Sequence, residues 1–331
     1  VTTALVIGLS AVIVAVQDGE ALVLTVRPRD VRTGQPSRLL GLPFGPFDPE
    51  GQRTFELALR AFVAQQTRFE LGYVEQLYTF GDRGRDAPVA DVGAGAARVI
   101  SVGYLALTPK AVESSAPHTG WAPWARFFPW EDWRRGRPAI LDDAIGPALA
   151  SWAGAGGPQS EARRSQARLL FALDGAPWNE ERVLERYELL YEAGLVQEAA
   201  RDHAEATGRP APEPEPEPGS PFGEPMISDH RRILATGLGR LRGKLKYRPV
   251  VFELMPPEFT LSRLQRTVEA ITGAPLHKQN FRRGVERAGL VEGLGRFDVE
   301  TGGRPAELFR FRKELLNALP VSGLSLPMLR D

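Results

Sequence analysis

Residues 252–311 admit few architectures. They read FELMPPEFTLSRLQRTVEAITGAPLHKQNFRRGVERAGLVEGLGRFDVETGGRPAELFRF. Thr260 is placed to cap a helix in which Leu261, Leu264, Val268 and Ile271 share one face, and Gly273 ends that helix. Pro275 breaks the chain before a second helix, about His277 to Ala288, which Gly289 closes. Phe281, Val285 and Ala288 recur at i, i+4 and i+7 and form its apolar stripe. Lys278, Gln279, Arg282, Arg283 and Arg287 occupy the remaining surface, with Asn280 beside them. Leu290–Phe297 and Glu307–Phe311 then read as a hairpin with Thr301–Gly303 at its tip. This is the order of parts in a winged helix-turn-helix, whose second helix enters the DNA major groove. Arg, Lys, Gln and Asn suit base edges and phosphates. Arg304, beside the tip, is placed to reach a phosphate or the minor groove, and Thr260 joins the candidate DNA contacts at the start of the first helix. The bland alternative is a small helical domain for protein contacts with a solvated basic face. The hairpin and the local charge weigh against it.

That charge is visible only when the chain is divided. The 331 residues carry 41 basic and 41 acidic side chains, a net of zero. Residues 226–331 hold 19 Lys and Arg against 11 Asp and Glu, a net of +8, and residues 1–225 hold 22 against 30, a net of −8. A cationic module joined to an anionic one fits a DNA-binding domain with a different task at the other end. The absence of cysteine excludes disulfides, thiolate catalysis and cysteine-based metal sites, and agrees with a cytoplasmic setting.

Upstream, residues 1–112 are rich in strand signals. Ala4–Val16 is apolar but lacks the charged start and cleavage signal of a leader, and is too short to span a bilayer. It runs through the hairpin dipeptide Asp18–Gly19 into Ala21–Val26, so the pair reads as two buried strands. Tyr73–Phe80 and Arg98–Leu107 carry β-branched and aromatic residues expected of strands. Between them, Leu57, Phe62 and Val63 mark a helix from about Thr54 to Thr67. The Gly- and Ala-rich stretch within 82–97 reads as a flexible connection, because no helix follows it to complete a phosphate cradle.

Residues 118–205 turn tryptophan-rich and then helical, with helices expected over Arg163–Leu173 and Glu180–Gly194, the second capped by Asn179. The aromatic run Trp121–Trp133 offers rings that could stack a base, and more plainly anchors for an insert. The run PAPEPEPEPGSP cannot build a core and reads as an extended linker or loop. A further helix is expected from about Ser228 to Leu245. The four histidines are scattered without metal-ligand spacing.

Several segments carry a resemblance. DHRRILATGLGRLRGKLKYRPVVFELMPPEFTLSRLQR, NFRRGVERAGLVE and GRPAELFRF resemble Nudix-related transcriptional regulators of NAD metabolism, and YVEQLYTFGDRGRD and RVISVGYLAL resemble the Nudix core of the same family. The resemblance covers about 1–112 and 229–315, and the long insert departs from the family's shorter members. It looks closer to a branch that represses NAD-synthesis genes, where GWAPWARFFPWEDWRRGRP is also at home. The implied fold class is α+β: a Nudix-like α/β/α sandwich domain over 1–117, a helical insert with an acidic loop over 118–226, a linking helix over 227–246 and a winged helix-turn-helix over 247–320.

Within that resemblance, the Nudix signature G-x5-E-x7-R-E-U-x-E-E-x-G-U uses helix-borne carboxylates to hold Mg²⁺ against a pyrophosphate. Alignment on Arg60 puts Pro46 at the first glycine and Gln52 at the first glutamate. Ala61, Ala64 and Gln65 replace the other glutamates, and Thr67 the last glycine. Without anionic ligands Mg²⁺ has little reason to dehydrate there, so no catalytic residue, metal or catalytic cofactor is assigned. The resemblance implies an NAD-related effector, namely NAD, ADP-ribose or ATP, with Phe47, Arg60 and Tyr73 as candidate contacts. It also implies a homodimer on a palindromic operator and a repressor of NAD biosynthesis genes, with no membrane partner. The competing readings are a Nudix-type pyrophosphatase of ADP-ribose or NAD with an autoregulatory winged helix, and a protein-interaction scaffold.

Overall fold

The computed structural model describes residues 4–29, 34–67, 71–81, 97–111, 118–210, 212, 215–298 and 305–314. Its centre is the first strand, β1 (Ala4–Gln17), which turns at Asp18–Gly19 into β2 (Glu20–Val26) as an antiparallel hairpin. β3 (Phe44–Pro46) also pairs with β1, and α1 (Phe55–Thr67) follows. β4 (Tyr73–Phe80), β5 (Ala97–Leu107) and β6 (Thr119–Pro123) complete a six-stranded mixed sheet ordered β4-β5-β1-β2-β6, with β1 and β5 parallel.

Burial along β1 explains its unbroken apolar sequence. Leu9, Ala11 and Ile13 face Ala58, Leu59, Phe62 and Val63 of α1, whereas Val12, Val14 and Val16 join the core on the opposite face. A strand covered on both faces reads as a continuous hydrophobic run rather than an alternation. Each of the buried Val, Leu and Ile side chains contributes about 1.5–3 kcal/mol by leaving water. The sequence pattern placed Leu57 on the buried side of α1. The structure leaves it half exposed and buries Ala58 and Leu59 instead.

The opposite face is covered by α6 (His230–Leu245), reached after α2 (Gly146–Gly154), α3 (Ser160–Leu170), α4 (Val183–Glu192) and α5 (Gln197–Ala206). The expected linking helix is therefore the second helical layer of the sandwich, separated in sequence from the sheet by the whole insert. Ile233, Leu234, Leu238 and Leu241 are fully buried. Gly237 permits the close approach to β1, because a Cβ there would lie 3.0 Å from Val12 Cγ1.

The insert packs against α6 and shares its core. Trp124, Phe127, Phe128 and Trp130 are buried, so these rings serve as anchors. Trp133 is half-buried against Trp178, with ring centroids 4.5 Å apart. Asn179 accepts from the Glu181 amide instead of capping α4, which starts three residues later than the expected helix at Val183. Just after the proline-rich run the chain is held in place. Glu224 is buried and accepts from Arg126 at 2.6 Å, and the Phe222 carbonyl accepts from Arg231.

Glu131 lies at the junction of these parts. Its carboxylate accepts from Arg186 Nε and Nη2 at 2.6 and 2.9 Å and from Arg242, and all three side chains are at most 1% exposed. Arg186 belongs to α4 and Arg242 to α6. Arg242 also donates to the Ile271 carbonyl at 2.8 Å, near the end of α7 (Leu261–Thr272). At the same end Gly273 adopts φ +72°, and a Cβ there would lie 2.2 Å from the Glu131 carbonyl oxygen. Burial pushes the Arg186 guanidinium below its ordinary pKa, and Glu131 opposes that shift.

Glu131→Ala leaves two buried guanidiniums without their carboxylate and is expected to lower stability by about 3–5 kcal/mol. Arg38→Ala breaks an ion pair with Glu215 whose side chains are 67% and 68% exposed, and is expected to cost at most about 1 kcal/mol. Urea unfolding of both variants checks the contrast. Equal small losses would show that the Glu131 junction adds nothing to stability.

Candidate functional site

The C-terminal unit follows the sequence pattern closely. β7 (Phe259–Thr260) leads into α7, whose first turn is capped by Thr260, with Oγ1 accepting from the Arg263 amide at 3.2 Å. α8 (Lys278–Ala288) follows the turn, and β8 (Val291–Asp298) and β9 (Ala306–Phe311) form the hairpin. The three strands are ordered β7-β9-β8. The turn between the helices is fixed by a polar pair that the sequence pattern did not reveal. Glu269 accepts from the Leu276 amide at 2.9 Å, and Gln265 donates to both Glu269 and the Leu276 carbonyl at 2.9 Å. Behind β9, Phe252 stacks on Phe311 with centroids 4.1 Å apart.

α8 buries Phe281 and Val285 and exposes Lys278, Gln279, Asn280, Arg282, Arg283 and Arg287. Its four cations form no ion pair among the described residues, whereas the hairpin cations Arg296 and Arg310 pair with Glu258 and Glu292. Uncompensated positive charge is thus concentrated on α8. Thr260 departs from the expectation: it is buried and its hydroxyl is engaged by the cap, so its part is to start α7. Arg304 and the hairpin tip at Thr301–Gly303 lie outside the described residues, as does most of the Gly- and Ala-rich stretch before β5. Arg263 and Arg266, exposed on α7, extend the cationic surface beyond the predicted set.

The sandwich offers a second candidate site around α1, and here the expected contacts do not converge. Phe47 packs edge-on against Phe55 at 4.6 Å, on the α1 side of the sheet. Arg60 is not left unpaired. It donates to Glu56 at 2.9 and 3.0 Å, to the Gly72 carbonyl at 3.1 Å and to the Leu71 carbonyl. Tyr73 packs with the core on the other face, where Lys244 donates to its hydroxyl at 2.9 Å and the hydroxyl donates to Glu75 at 2.7 Å. Burial works against the Glu75 carboxylate, but the hydrogen bonds from Lys244 and Tyr73 outweigh it and hold its pKa below the usual range. Tyr73 therefore packs on the opposite face of the sheet from Phe47.

The donor set does not fit a catalytic Mg²⁺. Gln52 is engaged with the Asp48 amide at 2.9 Å, and Ala61 and Gln65 are exposed neutral positions on α1. Among the described residues, no group of three or more His, Cys, Asp or Glu side chains could hold a metal ion. No described helix is long and apolar enough to cross a membrane.

Comparison with known proteins agrees with this geometry. Residues 251–311 match the family described as the NrtR DNA-binding winged helix domain. Over 83 residues the chain is 41% identical to the "ADPR responsive transcriptional repressor NtrR" of Acinetobacter baylyi. That match takes in 25% of this chain and spans 33% of the relative's length. The crystal structure of Shewanella oneidensis NrtR is similar with a TM-score of 0.53 at 20% identity, over 92% of this chain and 94% of that one. A MutT/nudix family protein from Enterococcus faecalis is similar with a TM-score of 0.50 at 12% identity, over 94% and 88% of the two chains. The chain thus has the fold of NrtR, a Nudix-like α/β/α sandwich followed by a winged helix of the NrtR type.

Proposed function

We propose that the chain is a DNA-binding transcriptional repressor of NAD biosynthesis genes, gated by an NAD-related nucleotide at its Nudix-like domain. The observation that carries this reading is α8. It presents Lys278, Gln279, Asn280, Arg282, Arg283 and Arg287 outward, on a winged helix of a DNA-binding family. Side chains of these types make bidentate contacts to guanine and adenine edges and bind phosphates. Arg304 is assigned to the same surface from its place beside the hairpin tip.

Of NAD, ADP-ribose and ATP, ADP-ribose is the favoured effector, because the Acinetobacter baylyi relative responds to it. Arg60 and Phe47 flank the α1 side of the sheet, where such a ligand would lie, while Tyr73 acts from the other face through Lys244. The domain acts as a sensor and not as a hydrolase, since the metal-holding positions carry Gln52, Ala61, Ala64 and Gln65. A cytoplasmic homodimer on a palindromic operator completes the reading, because one short recognition helix reads few base pairs and paired half-sites multiply specificity. Effector binding then favours one arrangement of the two winged helices over another, which is linkage between two sites.

Arg283→Ala is expected to weaken operator binding by about 1–3 kcal/mol at fixed salt while ADP-ribose binding is retained. Fluorescence anisotropy on an NAD-gene promoter against a scrambled duplex measures the first, and calorimetry the second. Unchanged DNA affinity would remove α8 as the reading helix. For the unmodified protein, ADP-ribose is expected to shift operator affinity by roughly 5- to 150-fold, the usual range of allosteric coupling. Release of phosphate or nucleoside monophosphate from ADP-ribose with Mg²⁺ would instead identify a pyrophosphatase.

A further inference from the structure

A cleft of about 760 Å³ opens between the sandwich and the winged helix. On the sandwich side it is walled by Val16 at the end of β1 and by Pro109 and Lys110 just after β5. On the other side stand Pro256, Pro257 and Arg263, the last in the first turn of α7. Its size falls within the roughly 300–1,000 Å³ typical of small-molecule sites.

The chemistry of the walls is divided. Three prolines and a valine offer flat or rounded apolar surface, and two cations stand at the rim. Lys110 and Arg263 are exposed, and neither side chain forms an ion pair or hydrogen bond among the described residues. Two exposed cations beside an apolar wall suit a ligand that is anionic at one end and flat at the other. The partial positive charge at the N-terminus of α7 adds to the attraction.

We propose that this cleft binds a nucleoside phosphate, with its base against the prolines and its phosphates between Lys110 and Arg263. The site is separate from the α1 side of the sheet, where the gating nucleotide is assigned. Because its two walls belong to the sandwich and to the winged helix, a ligand there ties one to the other. Its influence on DNA rests on the function proposed above. Its occupancy does not, so binding is measured on the full chain without DNA.

The probe is ADP, titrated by calorimetry into the wild-type protein and four variants whose folding is checked by circular dichroism. Lys110→Ala and Arg263→Ala are each expected to weaken ADP binding about tenfold, the size expected for a lost hydrogen bond to a charged group. Ala111→Trp, at a further residue lining the cleft, fills it without removing a charge and is expected to abolish the event. Arg38→Ala, an exposed position that does not line the cleft, is expected to leave it intact. Failure of the wild-type protein to bind ADP would overturn the proposal, as would wild-type affinity in the first three variants. Loss of DNA affinity in Arg263→Ala with ADP binding unchanged would also overturn it and assign the cleft to the DNA backbone.

Discussion

One carboxylate between two guanidiniums organises this molecule. Glu131 has no water to turn to, and neither do Arg186 and Arg242, since all three are buried to within 1% of completely. An isolated charge in such a place would cost several kcal/mol, and a lone pair of ions often no more than breaks even. The cluster escapes that cost through its neighbours. Arg186 also donates to the Asn179 carbonyl at 2.8 Å, and Arg242 to the carbonyls of Glu180 at 2.9 Å and Ile271 at 2.8 Å. The second positive charge is thus spread over backbone carbonyl oxygens around the cluster. Four separate parts meet there: the turn carrying Glu131, α4, α6 and the end of α7.

That meeting point decides how a signal can travel. The Trp133 amide donates to the Gly273 carbonyl at 2.6 Å, and Glu131 backs onto Gly273 so closely that no side chain fits. The first helix of the winged unit is therefore fastened to the insert and to α6, which is itself packed on β1. A swing of the winged helix away from the sandwich would have to open a dry ionic cluster. Under the proposed function, small shifts of α6 are passed on intact to α7 and amplified by the spacing of two half-sites. The insert then has a mechanical part, as the brace that makes sandwich and winged helix one body.

The sequence was most legible where structure is local. Thr260, Gly273 and Gly289 bound α7 and α8 because caps act within one turn, and the stripe of Phe281 and Val285 fixed the outward face of α8 without further information. Strand β1 and its hairpin partner β2 were recognisable, but the parallel pairing of β1 with β5 was not, because a run covered on both faces carries no alternation to decode. Tyr73 was grouped with Phe47 and Arg60 on family pattern, and only strand parity shows that it faces α6. The Glu131 cluster was illegible for a different reason. Its members lie 55 and 111 residues apart, and nothing in the neighbourhood of each signals that its charge will be buried. The anchoring just after the proline-rich run was also illegible, because composition denied it a core while Arg126 and Arg231, far away in sequence, hold Glu224 and the Phe222 carbonyl.

The altered α1 has a consequence for ligand binding that follows from charge alone. A surface with several carboxylates repels a diphosphate unless divalent ions intervene, since like charges about 4 Å apart cost on the order of 4 kcal/mol near a protein surface. Under the proposed function, Gln52, Ala61, Ala64 and Gln65 stand at those positions and lessen that repulsion. Arg60 does not fill the vacancy as a free cation, because Glu56 neutralises it and two backbone carbonyls hold it in place. The surface left on this side is close to neutral. Under the proposed function, such a surface binds its nucleotide through hydrogen bonds and ring contacts more than through charge, and releases it unchanged. That is the behaviour a sensor requires and a hydrolase must avoid.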